Sequence, residues 1–279
     1  MNKWRFAFSS RWFGYLALVV AFAIGCVFLS QWQFDRREEA AAEVARVSDN
    51  WESPPVPLSS VMPELDEFDD DSKWSSVAVS GQYLADEQLL VRGRPYGGGQ
   101  PGFEVLVPLE LDSGDVIIVD RGWVPSGNSQ DEPDSVPAPP TGRVDVIVRL
   151  KPGEPTVYGR SAPEGQIATI HLPAIAEKLA EPTYTAAYGL LASEDPAVDV
   201  LPLPYPKPLL DEGAHLSYAF QWVAFGVLAF IGLAWAVRQE YRLVNEDDPA
   251  ERERAKKRRL KSEKRGPSDA EIEDALLDS

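Results

Sequence analysis

Residues 213–237, GAHLSYAFQWVAFGVLAFIGLAWAV, decide the fold of this chain because they contain an uncharged run long enough to cross a membrane. The run covers residues 218–237, and a second uncharged run of the same length covers residues 13–32. An α-helix needs about 20 apolar residues to span a hydrocarbon layer about 30 Å thick. The sequence therefore predicts an integral membrane protein that crosses the lipid bilayer with two transmembrane helices.

Basic residues at the outer ends of both runs predict the topology. Lys3, Arg5 and Arg11 precede the first run, and a dense basic tract within residues 238–265 follows the second. Lys and Arg concentrate in the cytoplasmic flanks of transmembrane helices. We therefore expect a multi-pass protein of the plasma membrane. Residues 1–12 and 238–279 are expected in the cytoplasm, and everything between the helices is expected outside it.

Two alternatives accompany this topology. A basic start followed by an apolar run is also typical of cleaved export signals, although no small-x-small cleavage site ends the first run at Trp32. The basic tract after residue 250 is expected either to bind anionic lipid headgroups or only to fix the orientation of the chain.

The composition of the region between the helices argues against several functions. Residues 33–217 hold 13 Lys and Arg against 32 Asp and Glu, so no nucleic acid partner is expected. The single cysteine, Cys26, lies in the first apolar run, which leaves no disulfide and no CxxC centre. Two histidines and one cysteine are too few for a protein-only zinc site, and no GxSxG or Gly-Lys-Ser/Thr motif is present. We therefore expect a protein without catalytic activity.

Proline-rich stretches divide the outer region. SPPVP at 53–57 and the acidic run at 64–71 predict an exposed linker over residues 33–72. LPLPYPKP at 201–208 predicts extended polyproline, which we expect to form a stiff strap over residues 201–217 that returns the chain to the membrane. Residues 73–200 are predicted to form a folded extracytoplasmic domain.

Alternating apolar and polar residues predict that this domain is mainly β. Such a period of two is typical of half-buried strands. The link DSGD at 112–115 joins two of the predicted strands and favours a hairpin. We expect an antiparallel β domain with one short helix at 173–180 and strands at 74–84, 88–92, 103–111, 116–119, 144–150, 166–170 and 184–191.

A glycine-rich stretch, RGRPYGGGQPG at 92–102, has two interpretations. It lacks the Gly-Lys-Ser/Thr signature of a phosphate loop. It is either a flexible connection between strands or an anion-binding loop in which Arg92 and Arg94 face a carboxylate.

One histidine, His215, lies directly ahead of the second apolar run. Because residues three and four apart share a helix face, it heads a stripe that also contains Tyr218, Trp222, Phe225 and Ala229. The first helix offers a face of small residues at four-residue spacing, which favours close helix packing; these are Ala17, Ala21 and Gly25. The amide of Gln221 is expected to contact the other helix or a buried group.

The residues alone leave two interpretations of His215 open. It is either an anchor or cap of the helix at the membrane surface, or an axial haem ligand. A neutral imidazole binds iron, and an aromatic, apolar groove between the two helices would accept a porphyrin. His171, the other histidine, is expected to be a strand-end residue of the β domain.

Four segments of the chain resemble the surfeit locus protein 1 family, which comprises membrane proteins with two spans around a large outer loop. The segments are GQYL at 81–84, GFEVLVPL at 102–109, VDRGWVP at 119–125 and HLSYAFQW at 215–222. The sequence departs from the family pattern at Asp120, where members usually carry Asn, and at Val223, where they usually carry an aromatic residue.

The resemblance implies an assembly factor for haem a-containing cytochrome c oxidase. Such a factor would bind haem a, or present it to the haem-bearing subunit of the oxidase, at the outer membrane face. It implies that His215 is the ligand of the haem iron, with Tyr218, Gln221 and Trp222 beside it. The alternative from another functional class is a cofactor-free scaffold whose outer domain docks onto a respiratory or other membrane complex.

The family motif around Arg121 also has two interpretations. Arg121 is expected either to contact a haem carboxylate or the oxidase, or to be structural. In the structural interpretation Gly122 permits a turn and Trp123 is buried in the β core.

Overall fold

The computed structural model describes residues 4–128, 132–179 and 181–263. The chain divides into two compact units. The helical unit contains residues up to Glu39 and from Gly213 onward, and the β domain contains Ala40–Glu212. The predicted end of the cytoplasmic tail, residues 264–279, lies outside the described residues.

Among the described residues, two of the five α-helices are long and apolar enough to cross a membrane. The helices are α1 (Ser10–Asn50), α2 (Leu58–Val61), α3 (Leu172–Leu179), α4 (His215–Val244) and α5 (Pro249–Glu263). The candidate spans are α1 and α4, and they flank the β domain in sequence. The predicted class, a mainly β membrane protein with two apolar helices, is therefore confirmed.

Helix α1 is about twice as long as the apolar run predicts. Residues 33–50 continue the helix because they are rich in Ala, Glu and Arg, which are strong helix formers. Gln31 donates to Asp35 at 3.0 Å one turn on, and a salt bridge of 2.6 Å joins Arg36 to Glu39. The helix stops at Asn50, shortly before two prolines that cannot continue it. The prediction of a linker is therefore wrong for residues 33–50.

The rest of the predicted linker packs onto the β domain. Trp51, Leu58 and Met62 are buried in its hydrophobic core. The Asn50 side-chain amide donates to the backbone oxygens of Asp71 and Lys73, both at 2.8 Å. The compact β domain therefore begins near residue 40 rather than at residue 73.

Eight strands form one sheet whose pairings close into a ring. The strands are β1 (Val56–Pro57), β2 (Ser76–Tyr83), β3 (Leu89–Arg92), β4 (Gly102–Leu111), β5 (Val116–Pro125), β6 (Arg143–Pro152), β7 (Gln166–Ile167) and β8 (Ala187–Asp195). Their order is β1-β2-β6-β8-β5-β4-β3-β7, and β2 pairs with β4 as well. Strands β2, β6, β8, β5 and β4 therefore enclose a barrel-like core.

Gly81 lies where this ring closes. It pairs with Val144 of β6 on one side and with Leu111 of β4 on the other. A Cβ atom at position 81 would collide with the backbone carbonyl of Glu110. Only a residue without a side chain lets the strands approach this closely.

The strand predictions hold at most positions. The main ladders are antiparallel, as expected, but β1–β2, β3–β7 and β5–β8 are parallel. The predicted strand at 116–119 continues to Pro125, and the predicted short helix is α3. Its expected last residue, Ala180, lies outside the described residues.

The hydrophobic core lies on both faces of β5. One cluster fills the ring and includes Ile117 and Val119. A second cluster lies under α3 and includes Val116, Ile118 and Ile175. All residues of β5 except Pro125 are buried, so this strand organises the β domain.

Candidate functional site

The imidazole of His215 is held in a defined orientation. His215 is the first residue of α4 and is half-buried. Its Nδ1 lies 2.9 Å from Oε1 of Gln33 on α1. An amide oxygen only accepts, so Nδ1 is the donor in this contact, and a neutral ring that donates there keeps the lone pair of Nε2. A hydrogen bond of this kind fixes the tautomer of metal-ligating histidines.

The Nε2 side of the ring is next to Gly213. A Cβ atom at this position would lie 3.4 Å from Nε2 of His215. The missing side chain leaves more room at the nitrogen that has the lone pair. The donor set therefore fits one imidazole bond to an iron.

Helices α1 and α4 pack along a seam of residues spaced alternately four and three apart. On α4 the buried or half-buried residues of this face are His215, Ala219, Trp222, Gly226 and Ala229. On α1 they are Val19, Ala23, Cys26, Ser30 and Gln33. This spacing is typical of left-handed helix pairs. At its centre the Ser30 hydroxyl donates to the carbonyl oxygen of Ala219 at 3.1 Å.

The residues that form the seam differ from those predicted to lie between the two helices. Ala17 and Ala21 are exposed, so the expected small-residue face of α1 does not meet α4. Tyr218 and Phe225 are 52% and 39% exposed, and Gln221 is also exposed and does not lie on the seam. The predicted aromatic stripe is therefore split between the seam and the outer surface.

Among the described residues of the helical unit, the seam is packed at the positions where a porphyrin groove is expected. Ala219, one turn after His215, is fully buried against α1. Trp222 is half-buried and meets Phe225 edge to face, with ring centroids 5.8 Å apart. Close packing at these positions leaves no space for a macrocycle inside the seam. The ligating nitrogen fits the predicted role, whereas the groove does not.

Arg121 is a structural residue of the β domain. Its side chain is 0% exposed and lies 2.7 Å from Glu194, which is 1% exposed. Nη1 of the Arg121 guanidinium donates to the carbonyl oxygen of Pro137 at 3.0 Å. The Tyr83 hydroxyl donates to the same Glu194 carboxylate at 3.1 Å. The prediction that Arg121 contacts a haem carboxylate is wrong because no part of its guanidinium reaches the surface.

Gly122 and Trp123 hold the predicted strap against β5. The backbone N–H of Trp123 donates to Leu203, and the N–H of Leu203 donates back, both at 2.8 Å. Gly122 has a φ of +128°, and a Cβ there would collide with the Leu203 carbonyl oxygen. The strap is therefore paired with the β domain. Trp123 is buried, as the structural interpretation predicts, whereas Gly122 lies within β5 and not at a turn.

The glycine-rich stretch does not present Arg94 to an anion. Arg94 forms ion pairs with Glu104 at 3.0 Å and with Glu154 at 2.5 Å. Its backbone oxygen accepts from the indole nitrogen of Trp123 at 2.8 Å. The anion-binding interpretation is therefore wrong for Arg94, and the stretch connects β3 to β4.

The β domain contains a cavity of about 150 Å³, under the glycine-rich stretch and the strap, that the sequence analysis does not predict. A β-bulge causes it, because β5 has one residue more than β4 between the pairs Glu104–Trp123 and Leu106–Asp120. Simple alternation puts Asp120 and Trp123 on opposite faces, whereas the bulge brings both to the cavity wall.

Two acidic side chains at this cavity have perturbed titration. Burial raises the pKa of Asp120 well above its usual range, and the Glu104 carboxylate raises it further. Burial also raises the pKa of Glu104, against the opposing effect of Arg94. Within the described part of the chain, no group of three His, Cys, Asp or Glu side chains is arranged for a metal ion.

His171 precedes α3 and accepts a hydrogen bond on Nδ1 from the backbone N–H of Ala174, at 3.3 Å. It lines a second cavity of about 250 Å³ together with Arg160 and Lys178. The contact with Ala174 is a helix cap.

Comparisons with known proteins agree with the motifs. The model of the SURF1 family matches residues 20–227. A SURF1-like protein of Mycobacterium tuberculosis is 34% identical over 248 residues, which cover 87% of this chain and 89% of the relative. The cytochrome oxidase assembly protein SHY1 of Saccharomyces cerevisiae is 27% identical over 111 residues, 39% of this chain and 28% of the relative. On the extent of these matches, and as its motifs predicted, the chain belongs to the SURF1 family.

Proposed function

We propose that this protein assists the assembly of haem a-containing cytochrome c oxidase by binding or presenting haem a to the haem-bearing subunit. Support for the assembly role comes from the family and from the yeast relative, which is named a cytochrome oxidase assembly protein. Support for the haem role comes from one observation, the hydrogen bond between His215 and Gln33 that leaves Nε2 with its lone pair.

Each side chain near His215 has a separate part in this proposal. Gln33 holds the ring and its tautomer, and Nε2 binds the iron. Since the seam is closed at Ala219, the haem lies against the outer surface of the helix pair. Tyr218 and Gln221 are exposed there and available to the haem edge or to the oxidase subunit, while Trp222 supports the seam.

The proposal includes the predicted location in the plasma membrane. Both termini lie in the cytoplasm and the β domain lies outside, because the basic residues flank the outer ends of α1 and α4. Residues 215–222 at the start of α4 then lie at the outer membrane face. Haem held by His215 would therefore lie at the outer membrane face.

Complementation of cells that lack this protein tests the function. We expect His215→Ala to leave the haem a absorbance of the membranes near that of the deletion strain, because the iron ligand is lost. The full-length wild-type chain is expected to restore the absorbance. Membrane spectra and the amount of the variant in the membrane are measured together.

His171→Asn is the matched control because it removes the other histidine and keeps an oxygen that can cap α3. It is expected to restore oxidase as well as the wild-type chain does. Full restoration by His215→Ala would favour the cofactor-free scaffold. Normal oxidase spectra in the deletion strain would exclude the assembly role itself.

A further inference from the structure

The cavity beneath the glycine-rich stretch has an acidic floor and aromatic walls. It is lined by Asp120 and Glu104 and by the side chains of Tyr96, Trp123 and Tyr205. Tyr96 and Trp123 stack with ring centroids 5.1 Å apart. Exposed residues such as Gly97 and Pro206 form part of its lining, so the cavity has a rim at the surface of the β domain.

Asp120, which lines this cavity, has a carboxyl oxygen without a hydrogen-bond partner among the described residues. Asp120 is 2% exposed, and its Oδ1 accepts from the backbone N–H of Gly122 at 2.9 Å. Its Oδ2 is buried and has no hydrogen-bond partner among the described residues. Leaving a buried acceptor unsatisfied is costly, so the arrangement calls for a donor inside the cavity.

The surrounding charges favour a cationic donor. The positive charges of Arg94 and Lys151 lower the pKa of both Asp120 and Glu104. The carboxylate of Glu154, the third carboxyl group of the cluster, raises the pKa of Glu104. Two cations therefore face three carboxyl groups. With all three ionised, the carboxyl groups outnumber the cations by one, and the raised pKa of Asp120 reflects this uncompensated, buried state. A bound cation would supply the missing charge through a charge-assisted hydrogen bond to Asp120, which is stronger than a neutral one.

The walls favour an organic cation over a metal ion. A metal ion needs several oxygen, nitrogen or sulfur ligands, and the described residues form no such group. Aromatic faces instead attract weakly hydrated ammonium and guanidinium groups. A volume of about 150 Å³ is well above the ~10–15 Å³ that a single water molecule needs, so the cavity has room for the end of a side chain.

We propose that the cavity formed by Asp120, Tyr96, Trp123 and Tyr205 is a recognition pocket for the guanidinium or ammonium end of an arginine or lysine side chain of a partner protein. The charged group donates to Oδ2 of Asp120 and lies against the aromatic rings. The pocket lies entirely in the β domain, and its ligand is independent of haem binding at His215.

Titration of the detergent-solubilised full chain with n-propylguanidinium tests the pocket, with n-propylurea as the uncharged isostere. We expect saturable binding of the guanidinium with a Kd of about 1 mM or tighter and at least about tenfold weaker binding of the urea. Calorimetry measures both. Equal binding of the two probes would show that the cavity does not recognise charge, and no binding of the guanidinium would show that it is not a cation site. Either result would overturn the proposal.

Variants and a second ligand pair complete the test. Asp120→Asn keeps the shape and is expected to weaken guanidinium binding at least about tenfold. Asp86→Asn removes an exposed carboxylate elsewhere and leaves the affinity unchanged. Spermidine binding at least about tenfold more tightly than N-acetylarginine amide would assign the pocket to a free polyamine and overturn the protein partner. If the arginine amide binds as tightly as spermidine or more tightly, the result supports a protein partner.

Discussion

Glu194→Gln is expected to lower the free energy of unfolding of the β domain by about 3–5 kcal/mol, the cost of removing one partner of a buried ion pair. The substitution leaves the Arg121 charge without compensation in a site that no solvent reaches. It also replaces one acceptor oxygen of a carboxylate that bonds to both Arg121 and Tyr83. Denaturation of the full chain in detergent, followed by tryptophan fluorescence, measures the loss.

The exposed pair Arg143–Asp112 provides the matched control. Both side chains are more than half exposed and lie 2.9 Å apart, so Asp112→Asn is expected to leave the free energy of unfolding close to that of the wild-type chain. A double variant, Arg121→Met with Glu194→Leu, is expected to recover most of the stability because it removes the uncompensated charge. Equal losses for Glu194→Gln and Asp112→Asn would contradict the structural role of the buried pair.

Gly122→Ala is expected to release the strap from β5 and to destabilise the β domain by about 2–3 kcal/mol or more. A φ of +128° is strained for residues with a Cβ. The new methyl group would also collide with the Leu203 carbonyl oxygen, which accepts from Trp123. Limited proteolysis within residues 201–208 and the free energy of unfolding are the two measurements.

Gly114→Ala separates strain from collision. Gly114 lies in the turn between β4 and β5 with a φ of +90°, and nothing lies within 4 Å of its added Cβ. Only the backbone cost of about 1 kcal/mol is expected there. A protease-resistant strap in Gly122→Ala, with a loss equal to that of Gly114→Ala, would show that the close approach to Leu203 is unimportant.

The sequence predicts most of the secondary structure because its signals are local. Apolar alternation locates β2, β4 and β6 to within a few residues. The parallel pairing of β5 with β8 depends on contacts between distant residues, 119 with 189, for which a local pattern has no signal. The same limit applies to the pairing of Trp123 with Leu203.

The end of α1 shows how a membrane signal and a helix signal differ. The apolar run ends at Trp32, and charged residues follow it. This change in composition marks the expected edge of the lipid layer and not the end of the helix. The helix continues to Asn50 because residues 33–50 favour helix. Within these residues Val47 is buried in the core of the β domain, which ties this part of α1 to the sheet.

The candidate site was predicted in part. The position of His215 before an apolar run identified a candidate ligand, and the structure adds the contact with Gln33, 182 positions earlier in the chain. The helix faces were wrong because small residues at 17 and 21 suggested a packing face that Val19, Ala23 and Cys26 form instead. The sequence shows the charge of Arg121 but not its burial, so a ligand role is one of the two interpretations that the sequence allows.

The central claim is that His215, oriented by Gln33, binds haem iron through Nε2. The measurement that tests it most directly is a haemin titration of the full chain in detergent, followed by the Soret absorbance. His215→Ala is expected to abolish the shift of the Soret band. Gln33→Leu is expected to weaken binding about 10- to 100-fold, as loss of a second ligand-orienting contact does.

Gln31→Leu on the same helix is the matched control because Gln31 bonds to Asp35 and not to the imidazole. It is expected to bind haemin as the wild-type chain does. The account predicts a saturable Soret shift that needs His215 and is weakened only by the change at Gln33. The same shift and affinity in His215→Ala would contradict it.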